Sequence, residues 1–300
     1  MSPAYARRHR EMTCLSGRDN LDTLQGKRVI VTGGSRGFGR GIVEVLLGAG
    51  AQVHVVGRGA AALEVLQADL GERVSVTAAD AADPVVIGQL LDTVHPDAVV
   101  LNAGASPLPR PLHHQTWESF SANWNVDVKM AFHWLREALL LPLSPGSAIV
   151  LVSSGAALTG APLSGGYAGA KATIRFMAQS AAEESRRDGL GIQVTAVLPR
   201  LTPSTGVGGP AIAAFARRAG VSEEAFLAQL GEPVTPPHLV GKAVVSVLTD
   251  PGLAAHHAVL LTAAGLTPVD GPLTPRTGLK RCKLANDLLR PQSQPQVASS

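Results

Sequence analysis

The chain has 300 residues, of which 45% are hydrophobic and 16% charged, so it is long enough to bury a sizeable core. Basic residues exceed acidic ones only towards the two ends, because residues 29–270 carry 15 Lys and Arg against 19 Asp and Glu. That balance argues against a nucleic-acid groove, and no apolar run reaches the roughly 18 residues of a membrane-spanning helix.

Seven short apolar runs, rich in β-branched residues, predict strands that are buried on both faces. These runs are residues 28–32, 52–56, 74–78, 98–101, 148–152, 193–197 and 258–262. Helical stretches alternate with them, near residues 39–49, 60–70, 84–93, 116–141, 166–187 and 235–249. Because this alternation builds right-handed parallel units, we predict an α/β fold: a single doubly wound Rossmann-type domain with a seven-stranded parallel sheet.

The predicted domain spans residues 24–268. Residues 1–23 contain Arg7, Arg8 and Arg10 but no apolar segment after them, so we interpret them as a flexible extension rather than a secretory signal. Residues 269–300 are rich in Pro, Ser and Gln and are predicted to be largely disordered. Residues 206–232 interrupt the alternation with an Ala-rich helical segment, which we interpret as a substrate lid or, alternatively, a structural cap.

The two cysteines, Cys14 and Cys282, lie in the two end segments and have no companions. This usage does not fit a disulfide-stabilised secreted domain, and a reducing cytoplasmic compartment is the default expectation.

The first predicted strand runs directly into the glycine-rich segment TGGSRGFG at residues 32–39, and a helix follows at once. Glycines allow a tight turn and a close approach of the backbone to a pyrophosphate, while the helix N-terminus offers unpaired N–H donors. We therefore predict a dinucleotide-binding loop, with a plain turn as the alternative. Its predicted cofactor-binding residues are Gly33, Ser35, Arg36, Gly37, Phe38 and Gly39.

The residues after the next strands indicate which nucleotide would bind. An NAD site typically places Asp or Glu after the second strand, whereas this chain has Arg58 there and Arg36 in the loop. Two guanidinium groups favour the 2′-phosphate of NADP(H), although NAD(H) remains possible and either Arg could simply be solvated. Asp80 is predicted to meet the adenine or to form a turn. Asn102 and Gly104 should join strand ends and leave room for the cofactor.

Tyr167 and Lys171 are four residues apart in a helical stretch and therefore share one face. Ser154 ends the fifth strand, 13 residues earlier, at the edge where ligands meet an open parallel sheet. An ammonium group stabilises a phenolate, so Tyr167 could exchange a proton with a carbonyl or alcohol oxygen that Ser154 orients. These three residues predict interconversion of a carbonyl and an alcohol, with hydride supplied by a nicotinamide cofactor. Tyr167 and Lys171 are also predicted to bind this cofactor, Lys171 through its ribose.

From about residue 24 to 266 the chain resembles the short-chain dehydrogenases/reductases, on the segments TGGSRGFG, LNAG, a Ser and then YAGAK. The resemblance implies reversible hydride transfer with NADP(H) and a homodimer or homotetramer. It also implies a fourth catalytic residue, an Asn in the long helix before the fifth strand, which helps hold a water beside the active-site Lys. Asn125 matches best, and Asn123 is the alternative.

One segment departs from the family pattern. After the sixth strand the family commonly has Pro-Gly and then a Thr that contacts the nicotinamide carboxamide, whereas here Arg200 follows Pro199. The resemblance implies carboxamide contacts at Thr202 and Ser204 on an altered loop. Arg200 could face an anionic substrate group or lie exposed.

Two other function classes stay open. One is a non-catalytic dinucleotide-binding sensor or scaffold, which would have no need of the Ser–Tyr–Lys set. The other is an isomerase or epimerase that keeps NAD(P) bound, for which residues 206–232 are too short to form a sugar-binding domain. The His113–His114 pair lacks further metal ligands, so no metal is predicted. We predict an NADP(H)-dependent ketoreductase or alcohol dehydrogenase acting on a small organic substrate, without nucleic-acid or membrane partners.

Overall fold

A twisted sheet forms the centre of the computed structural model, which describes residues 23–230 and 235–269. Within these ranges eight strands pair in the order β3-β2-β1-β4-β5-β6-β7-β8. The strands are β1 Arg28–Thr32, β2 Gln52–Gly57, β3 Val74–Ala78, β4 Ala98–Leu101, β5 Ala148–Val152, β6 Gln193–Pro199, β7 Ala258–Thr262 and β8 Gly265–Pro268. Neighbours from β3 to β7 are parallel, and β8 is antiparallel to β7.

Helices connect the parallel strands. They are α1 Gly37–Gly48, α2 Ala60–Leu70, α3 Pro84–Val94, α4 Trp117–Asn123, α5 Lys129–Leu140, α6 Ala156–Thr159, α7 Gly165–Arg187, α8 Gly208–Ala219, α9 Glu223–Gln229, α10 Pro237–Thr249 and α11 Pro251–Ala254. A 3₁₀ turn, Leu112–His114, precedes α4, and a π-helical turn, Trp124–Val128, joins α4 to α5.

The centre of the sheet is buried on both faces, since every residue of β4 and β5 is buried, whereas the edge strand β3 has one buried residue. Along β1, Val29 and Val31 belong to one core cluster and Ile30 to the other, because successive side chains point to opposite faces. The first cluster includes residues of α1, α2 and α10, and the second includes residues of α3, α5 and α7. The α/β doubly wound fold predicted from the sequence is thus confirmed.

The strand order reverses between β1 and β4. From β1 the chain proceeds to β2 and β3 on one side, and it then returns to place β4 on the other side of β1. Connections leave in opposite directions at this point, which opens a crevice at the carboxyl ends of the strands. The fold therefore creates a natural ligand site beside the loop that follows β1.

Three sequence predictions need correction or refinement. The sheet has an eighth strand beyond the seven predicted, a four-residue antiparallel edge that lies outside the βαβ pattern. The helix predicted over 116–141 is interrupted by the π-helical turn. The predicted 206–232 segment contains α8 and α9, and its last two residues lie outside the described ranges. So do Cys14, Cys282 and almost all of the two predicted end segments.

Across the described ranges, no helix combines the length and the apolar character needed to span a bilayer. In the same part of the chain, no three His, Cys, Asp or Glu side chains are grouped so that they could hold a metal ion.

Candidate active site

A cavity of about 960 Å³ opens at the carboxyl ends of the parallel strands. Its walls come from the segments after β1, β2 and β3 at one end and after β4, β5 and β6 at the other, with α8 and α9 contributing side chains. Every site residue predicted from the sequence lines this cavity except Ser204. The fold therefore gathers residues that are up to 169 positions apart in the chain, from Gly33 to Thr202, around one space.

The turn after β1 can be built only with glycine at two of its positions. Gly33 has φ +68°, and a Cβ on it would lie 2.9 Å from the Cα of Ala103. A Cβ on Gly39 would lie 2.1 Å from the carbonyl oxygen of Gly33. The glycine turn leads directly into α1, and no side chain caps the N-terminus of this helix. Its N–H groups and the positive end of the helix dipole thus remain at the cavity wall.

Asn102 ties the ends of β1 and β4 together. Its backbone N–H donates to Oγ1 of Thr32 at 2.9 Å, and its Nδ2 donates to the carbonyl oxygens of Thr32 and Gly33 at 3.2 and 3.1 Å. These bonds hold the glycine turn in place and join the two strand ends, which is the role predicted for Asn102 from its position after β4.

Arg36 and Arg58 lie at the same end of the cavity, and both are exposed. Asp80 lines this end as well, and its Oδ1 accepts a hydrogen bond from the backbone N–H of Ala82 at 3.0 Å. Asp80 therefore forms a turn, one of the two roles predicted from the sequence. Its position on the cavity wall is also compatible with the other role, a contact to the adenine.

Ser154, Tyr167 and Lys171 line the opposite end. Ser154 follows β5, and its Oγ accepts a hydrogen bond from the N–H of Ala156 at 3.2 Å. Tyr167 lies half-buried in the first turn of α7, with the Nζ of Lys171 5.7 Å from its ring centroid. This helix packs closely against α4 because Gly166 has no side chain: a Cβ there would lie 2.0 Å from the carbonyl oxygen of Phe120.

Lys171 is held on two sides. Its Nζ lies 3.1 Å from the carbonyl oxygen of Val152, to which it donates, and 3.1 Å from Oδ2 of Asp127. The Lys171 side chain is only 8% exposed and that of Asp127 only 1%. Burial by itself would lower the pKa of Lys171, but the charges of Asp127 and Tyr167 outweigh it, so this pKa is raised above its usual value of 10.5.

The polar side chain that the structure places against Lys171 is that of Asp127, whereas the resemblance implied an Asn, Asn125 or Asn123, that helps hold a water beside this Lys. Asn125 is exposed at the cavity wall, and its Nδ2 donates to Oγ of Ser121 at 3.3 Å. Asn123, the alternative, is buried and donates to the carbonyl oxygen of Ala105 at 2.8 Å. Asn123 directly precedes the π-helical turn, and Asn125 and Asp127 both lie within it.

After β6, the chain brings Thr202 into the cavity wall and leaves Ser204 outside it. Thr202 is buried, and its Oγ1 accepts a hydrogen bond from the exposed Ser204 at 3.3 Å. Thr205 lines the cavity instead, with its Cγ2 3.7 Å from a Cβ placed on Gly37. Arg200 is exposed and also lines the cavity. With this turn at Thr202, Thr205 lines the cavity and the predicted Ser204 does not.

The helices α8 and α9 cover the catalytic end with apolar side chains. Phe215 and Phe226 stack on each other, with ring centroids 5.9 Å apart and planes inclined by 14°. Apolar side chains that line the cavity here include Leu158, Val207, Ala211, Phe215, Phe226 and Leu230.

Comparison with known proteins agrees with this arrangement. The family model described as short chain dehydrogenase matches residues 27–211. The chain is 30% identical over 186 residues to 2,5-dichloro-2,5-cyclohexadiene-1,4-diol dehydrogenase of Sphingobium indicum, covering 60% of this chain and 74% of that protein. It is 28% identical over 292 residues to L-fucose dehydrogenase of Oryctolagus cuniculus, covering 91% and 96% of the two chains.

Solved structures share the fold. The crystal structure of 3-ketoacyl-(acyl-carrier-protein) reductase from Brucella melitensis, complexed with NADH, superposes with a TM-score of 0.66 at 20% identity. The superposition covers 80% of this chain and 98% of that one. Because the family model matches more than half of the sequence, and the fold and the cavity agree with it, the chain belongs to the short-chain dehydrogenase family of oxidoreductases.

Proposed function

We propose that this protein is an NADP(H)-dependent oxidoreductase that interconverts a carbonyl and a secondary alcohol, with Tyr167 as the general acid and base. The observation that carries the proposal is the single cavity that joins an uncapped helix N-terminus behind a glycine turn to Ser154, Tyr167 and Lys171. A dinucleotide extended along the strand ends would reach from the glycine turn to the three catalytic side chains.

The nucleotide end fits the phosphates of a dinucleotide. Substituting Gly33 or Gly39 would fill the turn with a Cβ, and the uncapped N–H groups of α1 are the donors that phosphate groups prefer. Arg36 and Arg58 are exposed at this end and can reach a 2′-phosphate through charge-assisted bonds. Residue 58, directly after β2, is an Arg and not the carboxylate that an NAD ribose favours, which supports NADP(H).

At the catalytic end, each side chain has a distinct task. A bound nicotinamide supplies or accepts the hydride. Tyr167 gives its phenolic proton to the carbonyl oxygen during reduction and takes it back from the alcohol during oxidation. Ser154 donates a hydrogen bond to the same oxygen. Lys171 keeps a positive charge 5.7 Å from the phenol ring.

The cover of the substrate end favours a hydrocarbon ring. The side chains that α8 and α9 contribute to the cavity, Ala211, Phe215 and Phe226, are apolar, whereas a sugar would need polar partners for each hydroxyl that it buries. One relative is named for a chlorinated cyclohexadienediol and another for L-fucose, and the lining agrees with the first. We therefore expect cyclic ketones to be reduced with a kcat/KM at least about tenfold above that for sugars.

Several large apolar side chains are exposed on α4, α5 and α7, among them Trp117, Phe132 and Phe176. A second copy of the chain would remove them from water, which supports the homodimer or homotetramer expected from the resemblance.

The function is tested by following NADPH and NADH oxidation with a panel of cyclic ketones, alkyl ketones and sugars. We expect NADPH-dependent turnover of cyclic ketones, and a loss of about 10² to 10⁴-fold in kcat for Tyr167→Phe because the proton donor is gone. Tyr5→Phe is the matched control, since Tyr5 and Tyr167 are the chain's 2 tyrosines. Turnover by Tyr167→Phe at the wild-type rate would contradict the assigned proton donor.

The same panel separates the enzyme from the alternative, a dinucleotide-binding sensor. Wild-type protein that binds NADPH tightly, as measured by fluorescence, but reduces no member of the panel would favour the sensor.

A further inference from the structure

Asp127 and Lys171 form a buried charge pair with 3.1 Å between Oδ2 and Nζ, and this Nζ lies 5.7 Å from the ring centroid of Tyr167. We propose that Asp127 is a positioning residue whose carboxylate offsets the charge of Lys171 and so sets the pH range in which Tyr167 exchanges its proton. This inference rests on the proposed function of Tyr167, and it gives that reaction a residue that the sequence motifs do not contain.

The burial of the pair makes its electrostatic effect large. The two side chains are 1% and 8% exposed, so water screens them little, and charges at this separation interact strongly. The two oxygens of Asp127 have different surroundings. Oδ1 accepts from the N–H of Ala105 at 2.8 Å and from Nδ2 of Asn123 at 3.3 Å. Oδ2 faces Lys171 without a well-aligned hydrogen bond, so its contribution to the site is its charge.

The carboxylate cannot swing away from Lys171. It projects from the π-helical turn, its Oδ1 is fixed by two donors, and Gly104 packs against it so closely that a Cβ there would lie 2.7 Å from Oδ2. Lys171 is fixed in turn by the carbonyl oxygen of Val152. The geometry therefore belongs to the folded protein and does not depend on a bound ligand.

Other charged groups near the pair are few. Of the described residues that line the cavity, only Asp80 and Asp127 carry a carboxylate, and Asp80 follows β3, four strand spacings from β5. Lys129, from α5, and Arg200, after β6, are exposed on the cavity wall, and Tyr167 faces Lys171 from its own helix. Asp127 is thus the buried negative charge at this end of the cavity.

The consequence follows from charge balance. An ammonium beside a phenol favours the phenolate, and a carboxylate beside that ammonium opposes it. Neutralising Asp127 leaves the same cation with one less negative charge nearby, so the phenol should ionise at lower pH. The raised pKa of Lys171 agrees with a carboxylate that holds the ammonium in its charged form.

The chain allows a direct test, because it has 2 tyrosines. In a Tyr5→Phe background Tyr167 is the sole phenol, and its ionisation can be followed by ultraviolet absorbance in cofactor-free protein. We expect Asp127→Asn to move the midpoint to lower pH by about one unit or more. Asp127→Glu, which keeps the charge, should stay closer to the Tyr5→Phe parent.

An unchanged or higher midpoint in Asp127→Asn would overturn the inference. Circular dichroism at each pH verifies the fold, and Asp127→Ser, a smaller neutral variant, replaces the Asn variant if the amide does not fit beside Gly104. The pH profile of kcat/KM for alcohol oxidation should shift in the same direction. A shifted phenol midpoint in a protein that turns over no alcohol would leave the charge effect intact and count against the proposed function alone.

Discussion

The two ends of the cavity hold positive charge in opposite ways. At the catalytic end, Lys171 is buried, fixed by a carbonyl oxygen and paired with Asp127. At the nucleotide end, Arg36 and Arg58 are exposed to solvent beside an uncapped helix N-terminus. The charge of Lys171 is balanced within the protein. The charges of Arg36 and Arg58 are exposed, as expected where a bound ligand supplies the anion.

This difference indicates whether each charge affects the stability of the fold or the affinity for a ligand. A buried pair costs desolvation free energy, so removing either partner affects the folded state itself. Exposed guanidinium groups cost the fold little and are screened by salt over about 8 Å at physiological ionic strength. Substitutions at the catalytic end should therefore change stability and pH dependence, and substitutions at the nucleotide end should change affinity and salt dependence.

The largest effect on stability is expected for Lys171→Met, which leaves the Asp127 carboxylate buried without its cation. The free energy of unfolding, measured by urea denaturation, should fall by about 3 to 5 kcal/mol. Lys129→Met, at an exposed position of α5 on the cavity wall, is the matched control and should change it by less than about 0.5 kcal/mol. Equal losses in the two variants would show that the pair is not buried as described.

A smaller effect is expected for Arg58→Ala and Arg36→Ala. Each removes a charge-assisted contact to the 2′-phosphate, so the preference for NADPH over NADH, measured as a ratio of kcat/KM, should fall roughly tenfold or more. Added salt should reduce the wild-type preference in the same direction. Arg40→Ala is the control, because Arg40 is already paired with Glu44 and Asp69. A wild-type preference for NADH would contradict the assignment of both residues.

The smallest effect is expected for His54, which is partly buried and whose neutral form is favoured. The ring nitrogens of His54 lie 2.8 and 2.9 Å from the hydroxyls of Ser75 and Thr77, and burial lowers the pKa of His54 below its usual 6.5. The unfolded chain then binds a proton more readily, so stability should fall as pH drops through the usual pKa and level off below the depressed one.

The measurement for His54 is urea denaturation between about pH 5 and 7.5, the range in which histidine titrates. His54→Gln should flatten part of the pH dependence, and His113→Gln, at an exposed position in the turn before α4, should not. A pH dependence that is identical in wild type and His54→Gln would contradict the burial effect.

Much of the fold could be predicted because its signals are local and repeated. The seven parallel strands are short segments rich in apolar and β-branched residues, and the glycine turn and the Tyr–Lys spacing lie in contiguous segments. The edge strand β8 was missed since it is four residues long, contains a Gly and a Pro, and pairs antiparallel outside the repeat.

The missed site residues depend on irregular backbone. Asp127 lies in the π-helical turn with its carboxylate against Lys171, and the family resemblance pointed to an Asn in this stretch, not to an acid. The available signal was a lone acid between two valines within a helical stretch, a position where a charge needs a buried partner. Thr205 replaces Ser204 in the cavity because of a turn whose shape the motif did not contain.

The most direct test of the central claim follows the hydride. Wild-type protein is supplied with a cyclic ketone and NADPH deuterated at the transferring carbon of the nicotinamide, and the product alcohol is analysed by mass spectrometry. We expect one deuterium at the carbinol carbon from the wild type and from Tyr5→Phe, and at least about 10²-fold less labelled product from Tyr167→Phe. A product without the label, or equal labelling by Tyr167→Phe, would contradict hydride transfer assisted by this phenol.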